Sequence, residues 1–80
     1  GDPAEAGERF GRRWVARTTA EVRELLLADR PIIPRHLDAD LLQYAERMGI
    51  QTWDDEAAKF AVRGAFWEAV SEKDGLEPRR

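Results

Sequence analysis

Residues 53–73 place large apolar side chains on two sides of one predicted helix, and this pattern constrains the fold more than any other. One set, the aromatic stripe, repeats every seven residues and comprises Trp53, Phe60 and Trp67. A second set, the Val–Phe stripe, lies about 120° away around the helix and comprises Val62, Phe66 and Val70. A helix that is apolar on two sides is normally covered on two sides. The segment therefore needs cover from the rest of the chain, from a partner, or from both.

Residues typical of helix ends predict three further helices before this one. Side chains that accept a hydrogen bond from a free backbone N–H suit the position before a helix. The predicted caps are Asp2, Thr18, Asp38 and Thr52. The helices are predicted to end at Arg17, before Pro31, at Gly49 and near Lys73, with Gly75 as the last terminator. Gly49 is expected in the left-handed conformation, with Ile50 folding back against the helix.

The segment between the second and third helices is apolar and contains two prolines, Pro31 and Pro34. Proline excludes a regular helix here, and the apolar side chains are too many for a solvated linker. We expect an extended connection over residues 31–37 that lays Ile32, Ile33 and Leu37 into the core.

These elements predict an all-α fold, a compact four-helix bundle of irregular or orthogonal packing with a long C-terminal helix. The 80 residues are expected to form a single domain, with residues 75–80 as a flexible tail. The chain has no cysteine, so neither disulfides nor thiolate metal sites contribute to its stability. Gly11 is expected to weaken the first helix by about 1 kcal/mol relative to alanine.

Charge and composition narrow the classes of partner. The net charge of −3 argues against a dedicated nucleic-acid binder. The sequence contains no apolar run of membrane-spanning length, so we expect no membrane partner and a cytoplasmic location. Arginine outnumbers lysine by 11 to 2, which is typical of a GC-rich bacterial genome.

The end of the third predicted helix resembles the first half of a helix-turn-helix motif. Ala45, Gly49 and Ile50 occupy the small, glycine and apolar positions of that pattern. The second half departs from it, because Asp55 replaces a buried aliphatic residue within an acidic helix start that DNA phosphates would repel. A helix-turn-helix DNA-binding protein or an antitoxin-like regulator is therefore the alternative function, and a helix ended by glycine is the simpler interpretation.

Catalytic and metal-binding chemistry has little support in the sequence. His36 is the only histidine, and with Asp38 and Asp40 it forms a sparse set of metal ligands. Ser71, the only serine, is far in sequence from this base. We expect no enzyme activity, no cofactor, no bound metal and no small-molecule substrate.

The two stripes of the last helix have two interpretations. In the first, the helix is the centre of a monomer and other helices cover both stripes. In the second, one stripe faces a partner, because large exposed apolar patches are rare on monomers. We assign the aromatic stripe to the core and the Val–Phe stripe to a partner, most economically a second copy. Gly64 is expected to allow another backbone to approach closely.

A strip of arginines on the first helix offers a second contact surface. Its members are Arg9, Arg12, Arg13 and Arg17. They are expected to be exposed and solvated, balanced by Glu5 and Glu8. The alternative is a contact with phosphate, an anionic membrane surface or an acidic protein surface, of which the last best suits the net charge of −3. The partner-binding residues predicted from the sequence are thus Val62, Phe66, Val70, Arg9, Arg13 and Arg17. The predicted function is a small non-catalytic protein–protein interaction module, an accessory, regulatory or adaptor subunit in a homodimer or larger complex.

Overall fold

Four α-helices make up most of the described chain. The structure, a computed structural model, describes residues 1–72. The helices are α1 (Pro3–Arg17), α2 (Ala20–Ala28), α3 (Arg35–Arg47) and α4 (Glu56–Ser71). The predicted all-α class is confirmed, and α4 is the longest helix at 16 residues. The predicted tail at 75–80 and the predicted helix end near Lys73 lie outside the described residues.

Two predicted helix boundaries are confirmed. The Asp2 side chain accepts a hydrogen bond from the backbone N–H of Ala4 at 3.0 Å, which caps α1. At the end of α3, Gly49 has a φ of +90°, and the N–H of Ile50 donates to the carbonyl of Ala45 at 3.0 Å. Ile50 is only 5% exposed, so the chain does fold back over the helix end as glycine-terminated helices do.

Two predicted caps are displaced along the chain. Thr19, rather than Thr18, caps α2 by accepting from the N–H three residues later at 3.1 Å. Asp55, rather than Thr52, caps α4 in the same way at 3.0 Å. The Thr52 hydroxyl instead donates to the Glu46 carboxylate at 2.9 Å. Thr19 is adjacent to the predicted Thr18, and Asp55 lies three residues after the predicted Thr52, so both segments offered more than one residue of capping type.

The start of α3 differs from the prediction for a clear reason. The helix begins at Arg35, directly after Pro34, and not at Asp38. Proline is unsuited to a helix interior and keeps the preceding Ile33 out of the helical region, so the helix starts just beyond it. Asp38 therefore lies in the first turn, where its carboxylate accepts two hydrogen bonds from Arg63 at 2.9 and 2.8 Å.

The apolar connection before α3 is only partly buried. Ile33 and Leu37 pack against the core as predicted, with Leu37 already on α3. Ile32 is 69% exposed, so its predicted burial is wrong. Successive side chains of an extended backbone point to opposite sides. The neighbouring Ile32 and Ile33 therefore do not both face the core.

The close contact between α1 and α4 depends on two glycines, one helical turn apart. A Cβ atom on Gly7 would overlap the carbonyl oxygen of Val62. A Cβ atom on Gly11 would lie 2.8 Å from the Ala69 Cβ and 3.0 Å from the Phe66 carbonyl oxygen. Only glycine allows the two backbones to pack at this distance.

The glycines therefore have different roles from those predicted. Gly11 was expected only to weaken α1, whereas it forms part of the tightest helix contact in the described chain. Gly64 was expected to face another backbone. Among the described residues, no neighbouring element has an atom within 4 Å of the position its Cβ would occupy. Within the described residues, the close approach of two helix backbones occurs at Gly7 and Gly11 of α1.

Phe66 lies at the centre of the core. It is fully buried, and its ring centroid lies 6.0 Å from that of Phe10, 6.3 Å from that of Trp14 and 5.4 Å from that of Trp67. These separations and tilted orientations are the favourable ones for aromatic pairs. The other core residues come from all four helices and the turn after α3, and are Ala6, Leu26, Leu41, Ala45, Ile50, Val62 and Val70.

The assignment of the two stripes is the reverse of the prediction. The Val–Phe stripe, Val62, Phe66 and Val70, is completely buried within the chain and is not available to a partner. In the aromatic stripe, Trp53 is 67% and Phe60 81% exposed, and Trp67 is half-buried. Gly7 and Gly11 meet α4 at the Cβ atoms of Ala65 and Ala69, whose small side chains lie beside the Val–Phe stripe and let α1 approach this face. Trp53 also precedes the first residue of α4, Glu56.

The short helix α2 is attached to the end of α4 by arginines. The Arg23 Nε donates to the Val70 carbonyl at 2.8 Å, and Arg30 donates to the Ser71 hydroxyl at 3.0 Å. The last turn of α4 contains no basic residue of its own. These two cations therefore supply the positive charge that the C-terminal end of a helix favours.

Replacing glycine by alanine tests the α1–α4 contact. Gly7→Ala is expected to lower the free energy of unfolding by about 1–3 kcal/mol, because overpacking outweighs the gain in helix propensity. Gly64→Ala, which adds a Cβ in open space, is expected to raise it by about 0.5–1 kcal/mol. Urea denaturation of both variants measures the difference. A Gly7→Ala protein as stable as Gly64→Ala contradicts the close contact.

Two phenylalanines on α4 test the assignment of its faces. Phe66→Ala is expected to cost about 3–5 kcal/mol as a buried aromatic truncation. Phe60→Ala is expected to change stability by less than about 0.5 kcal/mol, as an exposed residue does. Phe66→Asp is expected to unfold the chain, as circular dichroism would show. A folded Phe66→Asp protein would contradict the burial of the Val–Phe stripe and indicate that this stripe is an outer surface.

Candidate functional site

A groove of about 510 Å³ lies between α1 and α3 and is the candidate site. Its α1 wall is formed at helical spacing by Phe10, Arg13, Trp14 and Arg17. Its α3 wall is formed in the same way by His36, Leu37, Asp40, Gln43, Tyr44 and Arg47. Residues three or four apart share one face of a helix, so each helix presents a single face to the groove.

The groove is basic, although the chain as a whole is acidic. Arg13, Arg17 and Arg47 contribute three positive charges, against the single negative charge of Asp40. The net charge of the chain is −3. Charge of this sign concentrated in a concave surface attracts anionic groups.

The floor of the groove is aromatic and continuous with the core. The ring of Phe10 lies 5.6 Å from that of Tyr44 across the groove and 6.0 Å from that of buried Phe66. Trp14 contacts the same Phe66 ring at 6.3 Å. The floor is therefore held by the side chains that hold α1 and α4 together, and its shape is set before any ligand binds.

Arg13 is positioned by the aromatic floor. Its guanidinium carbon lies 5.6 Å from the centroid of the Tyr44 ring, which is within the range of a cation–π contact. The side chain is exposed, so its N–H groups remain accessible. A guanidinium held over a ring loses less freedom on binding a carboxylate than one that is fully mobile.

The predicted arginine strip is divided between two roles. All of its members are exposed, as predicted. Arg13 and Arg17 line the groove, whereas Arg9 lies outside it and pairs with Glu5 at 2.9 Å. Arg12 pairs with Glu8 at 2.8 Å.

Arg12 also links α1 to the end of α4. Besides its hydrogen bonds to Glu8, it lies 3.2 Å from the carboxylate of Glu72. Hydrogen bonding to Glu8, with the charge of Glu72, raises the pKa of Arg12. This guanidinium is committed to contacts within the chain, in contrast to the two arginines of α1 that face the groove.

The α3 half of the groove was missed by the sequence interpretation. His36, Asp40, Tyr44 and Arg47 follow one another at intervals of three or four residues, which is the same periodicity that marked the arginine strip. The sequence therefore held a signal for a second polar face. It did not indicate that this face lies opposite Arg13 and Arg17.

The three side chains considered as a sparse set of metal ligands, His36, Asp38 and Asp40, do not converge in the structure. His36 and Asp40 line the groove, whereas Asp38 is directed at Arg63 and raises the pKa of that arginine by hydrogen bonding. Within residues 1–72, no three histidine or acidic side chains converge as metal ligands would. Ser71 is hydrogen-bonded to Arg30, on a different part of the surface from His36.

The α3–α4 pair does not have helix-turn-helix geometry. Residues 48–55 separate the two helices, which is longer than the three- or four-residue turn of that motif. The face of α4 that carries Val62 and Phe66 is buried against α1. Ala45 and Ile50, which carried the resemblance, serve to end α3 and to fill the core.

Among residues 1–72, no helix is both long enough and apolar enough to cross a bilayer.

Comparison with known proteins identifies the family. No curated protein and no solved structure matches the chain significantly. The family model described as the RspA-like C-terminal domain matches residues 1–74. This match covers all four helices and both walls of the groove. The chain therefore belongs to the RspA-like C-terminal domain family.

Proposed function

We propose that this domain is a non-catalytic protein–protein interaction module whose α1–α3 groove binds an acidic segment of a partner protein. The single observation that carries the proposal is a basic groove with an aromatic floor on an acidic chain. The domain would act as an accessory, regulatory or adaptor subunit in the bacterial cytoplasm.

The arginines of the groove suit carboxylates in particular. Arginine offers paired N–H donors that match both oxygens of a carboxylate. Arg13, Arg17 and Arg47 come from two helices and face one concavity, so one bound segment can meet all three. Phe10, Trp14 and Tyr44 supply apolar surface for a side chain between the carboxylates. Interfaces commonly combine aromatic contacts with arginine in this way.

An acidic protein segment suits the groove better than a nucleic acid. Nucleic acids are bound mainly through many phosphate contacts and are strongly repelled by like charge. The three groove arginines belong to a chain of net charge −3, and an acidic cluster, Asp54, Asp55 and Glu56, lies at the start of α4. A short peptide can contact the positively charged groove without lying against the acidic surface of the rest of the domain.

A peptide-binding assay with a charge-matched control tests the proposal. The probe is a fluorescent peptide of aspartates and glutamates around one phenylalanine, followed by fluorescence anisotropy at low salt. Arg13→Gln/Arg17→Gln is expected to weaken binding by about tenfold or more, since hydrogen bonds to charged groups contribute about 1.5–3 kcal/mol each. Arg9→Gln/Arg35→Gln, which removes the same charge outside the groove, is expected to bind as the wild type does.

Four further outcomes of this assay test the proposed function. Binding is expected to fall as salt is raised, because exposed charges are screened. A lysine-rich version of the peptide is expected not to bind. Equal loss in both double variants contradicts the groove and indicates a general charge effect. Binding of unspecific duplex DNA at physiological salt, in preference to the peptide, contradicts the proposal and supports a nucleic-acid function.

A further inference from the structure

A tight turn between α3 and α4 presents an exposed tryptophan. The N–H of Asp55 donates to the carbonyl of Thr52 at 3.2 Å, which closes a four-residue turn. Asp54, at its third position, has a φ of +60°, in the left-handed region that a type II turn requires there. Trp53, at the second position, is 67% exposed.

Both ends of this turn are anchored. Thr52 is 1% exposed, and its hydroxyl donates to the carboxylate of Glu46 on α3 at 2.9 Å. The Asp55 side chain accepts from the N–H of Ala58 in the first turn of α4 at 3.0 Å. The turn is therefore held to both helices, and the orientation of the Trp53 backbone is fixed before any partner binds. A ligand of fixed conformation loses little entropy when it binds.

The surface of the turn is complementary to the groove. Trp53 is followed by Asp54, Asp55 and Glu56, all exposed. Asp55 caps α4 through one carboxylate oxygen and Glu56 lies 3.4 Å from the Lys59 ammonium, while both remain at the surface beside Asp54. The groove offers the opposite set, an aromatic floor and three arginines. Tryptophan is among the residues that most often dominate the energy of protein interfaces.

We propose that the Trp53–Glu56 segment of one copy binds in the α1–α3 groove of a second copy. This inference rests on the proposed function and names the partner as the chain itself. None of the described residues that line the groove belongs to residues 48–56, so the turn lies outside the groove of its own chain. In a two-fold pair each copy gives its turn and receives that of the other, which makes two identical contacts.

The oligomeric state of matched variants tests this exchange. Light scattering behind a sizing column is expected to show a wild-type dimer at high micromolar concentration. Trp53→Ala removes the turn's aromatic group, and Arg13→Gln/Arg17→Gln removes groove charge; each is expected to weaken self-association at least tenfold. Circular dichroism is expected to show both variants folded, because the altered side chains are exposed. Phe60→Ala, which truncates a more exposed aromatic residue outside the turn, is expected to remain dimeric.

Mixing the two defective variants gives a sharper test. The Trp53→Ala protein keeps an intact groove, and the Arg13→Gln/Arg17→Gln protein keeps an intact turn. Their mixture is expected to form a heterodimer with one restored contact, whereas each variant alone stays monomeric. A mixture that remains monomeric while the wild type dimerises contradicts the exchange. Dissociation by Phe60→Ala, with no effect of Trp53→Ala, contradicts it as well and places the interface on the outer face of α4.

The outcome for self-association is separable from that for peptide binding. A wild-type monomer at high micromolar concentration that still binds the acidic peptide through Arg13 and Arg17 overturns the exchange and leaves the proposed function standing. A wild-type monomer that also fails to bind the peptide overturns both. A dimer that is lost in both variants and restored in their mixture supports both.

Discussion

The approach of α1 to α4 through Gly7 and Gly11 is the contact on which the rest of the structure depends. Without a Cβ at these positions, the α1 backbone lies against the carbonyl oxygens of Val62 and Phe66. This proximity places the rings of Phe10 and Trp14 against Phe66. Of the two apolar sides of α4, the Val–Phe stripe is therefore the one that is buried. The cost of glycine within a helix, about 1 kcal/mol each, is offset by the core that it makes possible.

The same contact fixes the candidate site. Phe10 touches both the buried ring of Phe66 and the ring of Tyr44 in the groove, so the core extends directly into the binding floor. Arg13 and Arg17 stand above that floor and are exposed. The packing of the core therefore depends on the rings of this helix, whereas the positive charge of its side of the groove depends on the exposed arginines. Changes in the exposed arginines can alter binding while the packing below them stays intact.

The sequence predicted local features well and the pairing of faces poorly. The cap at Asp2 and the left-handed Gly49 follow from chemistry within a few residues, and both were predicted. The burial of Phe66 rather than Phe60 depends on which face another helix can approach, and side-chain size alone suggested the reverse. The exposure of Arg13 and Arg17, which line the α1 side of the groove, was predicted, but the groove itself was not. To predict the α3 side of the groove, one must know how α1 and α3 pack against each other. Helical periodicity within either helix does not give this arrangement.

Nuclear Overhauser contacts of the Phe66 ring test the central claim most directly. A Cβ built on Gly11 would lie 3.5 Å from Phe66 Cδ1, so the Gly11 α-protons and the Phe66 ring protons are expected to give a strong cross-peak. The Phe66 ring is also expected to show contacts with Phe10 and Trp14, and the Phe60 ring none with α1. Contacts from Phe60 to α1, with none from Phe66, would contradict the packing from which the core and the groove both follow.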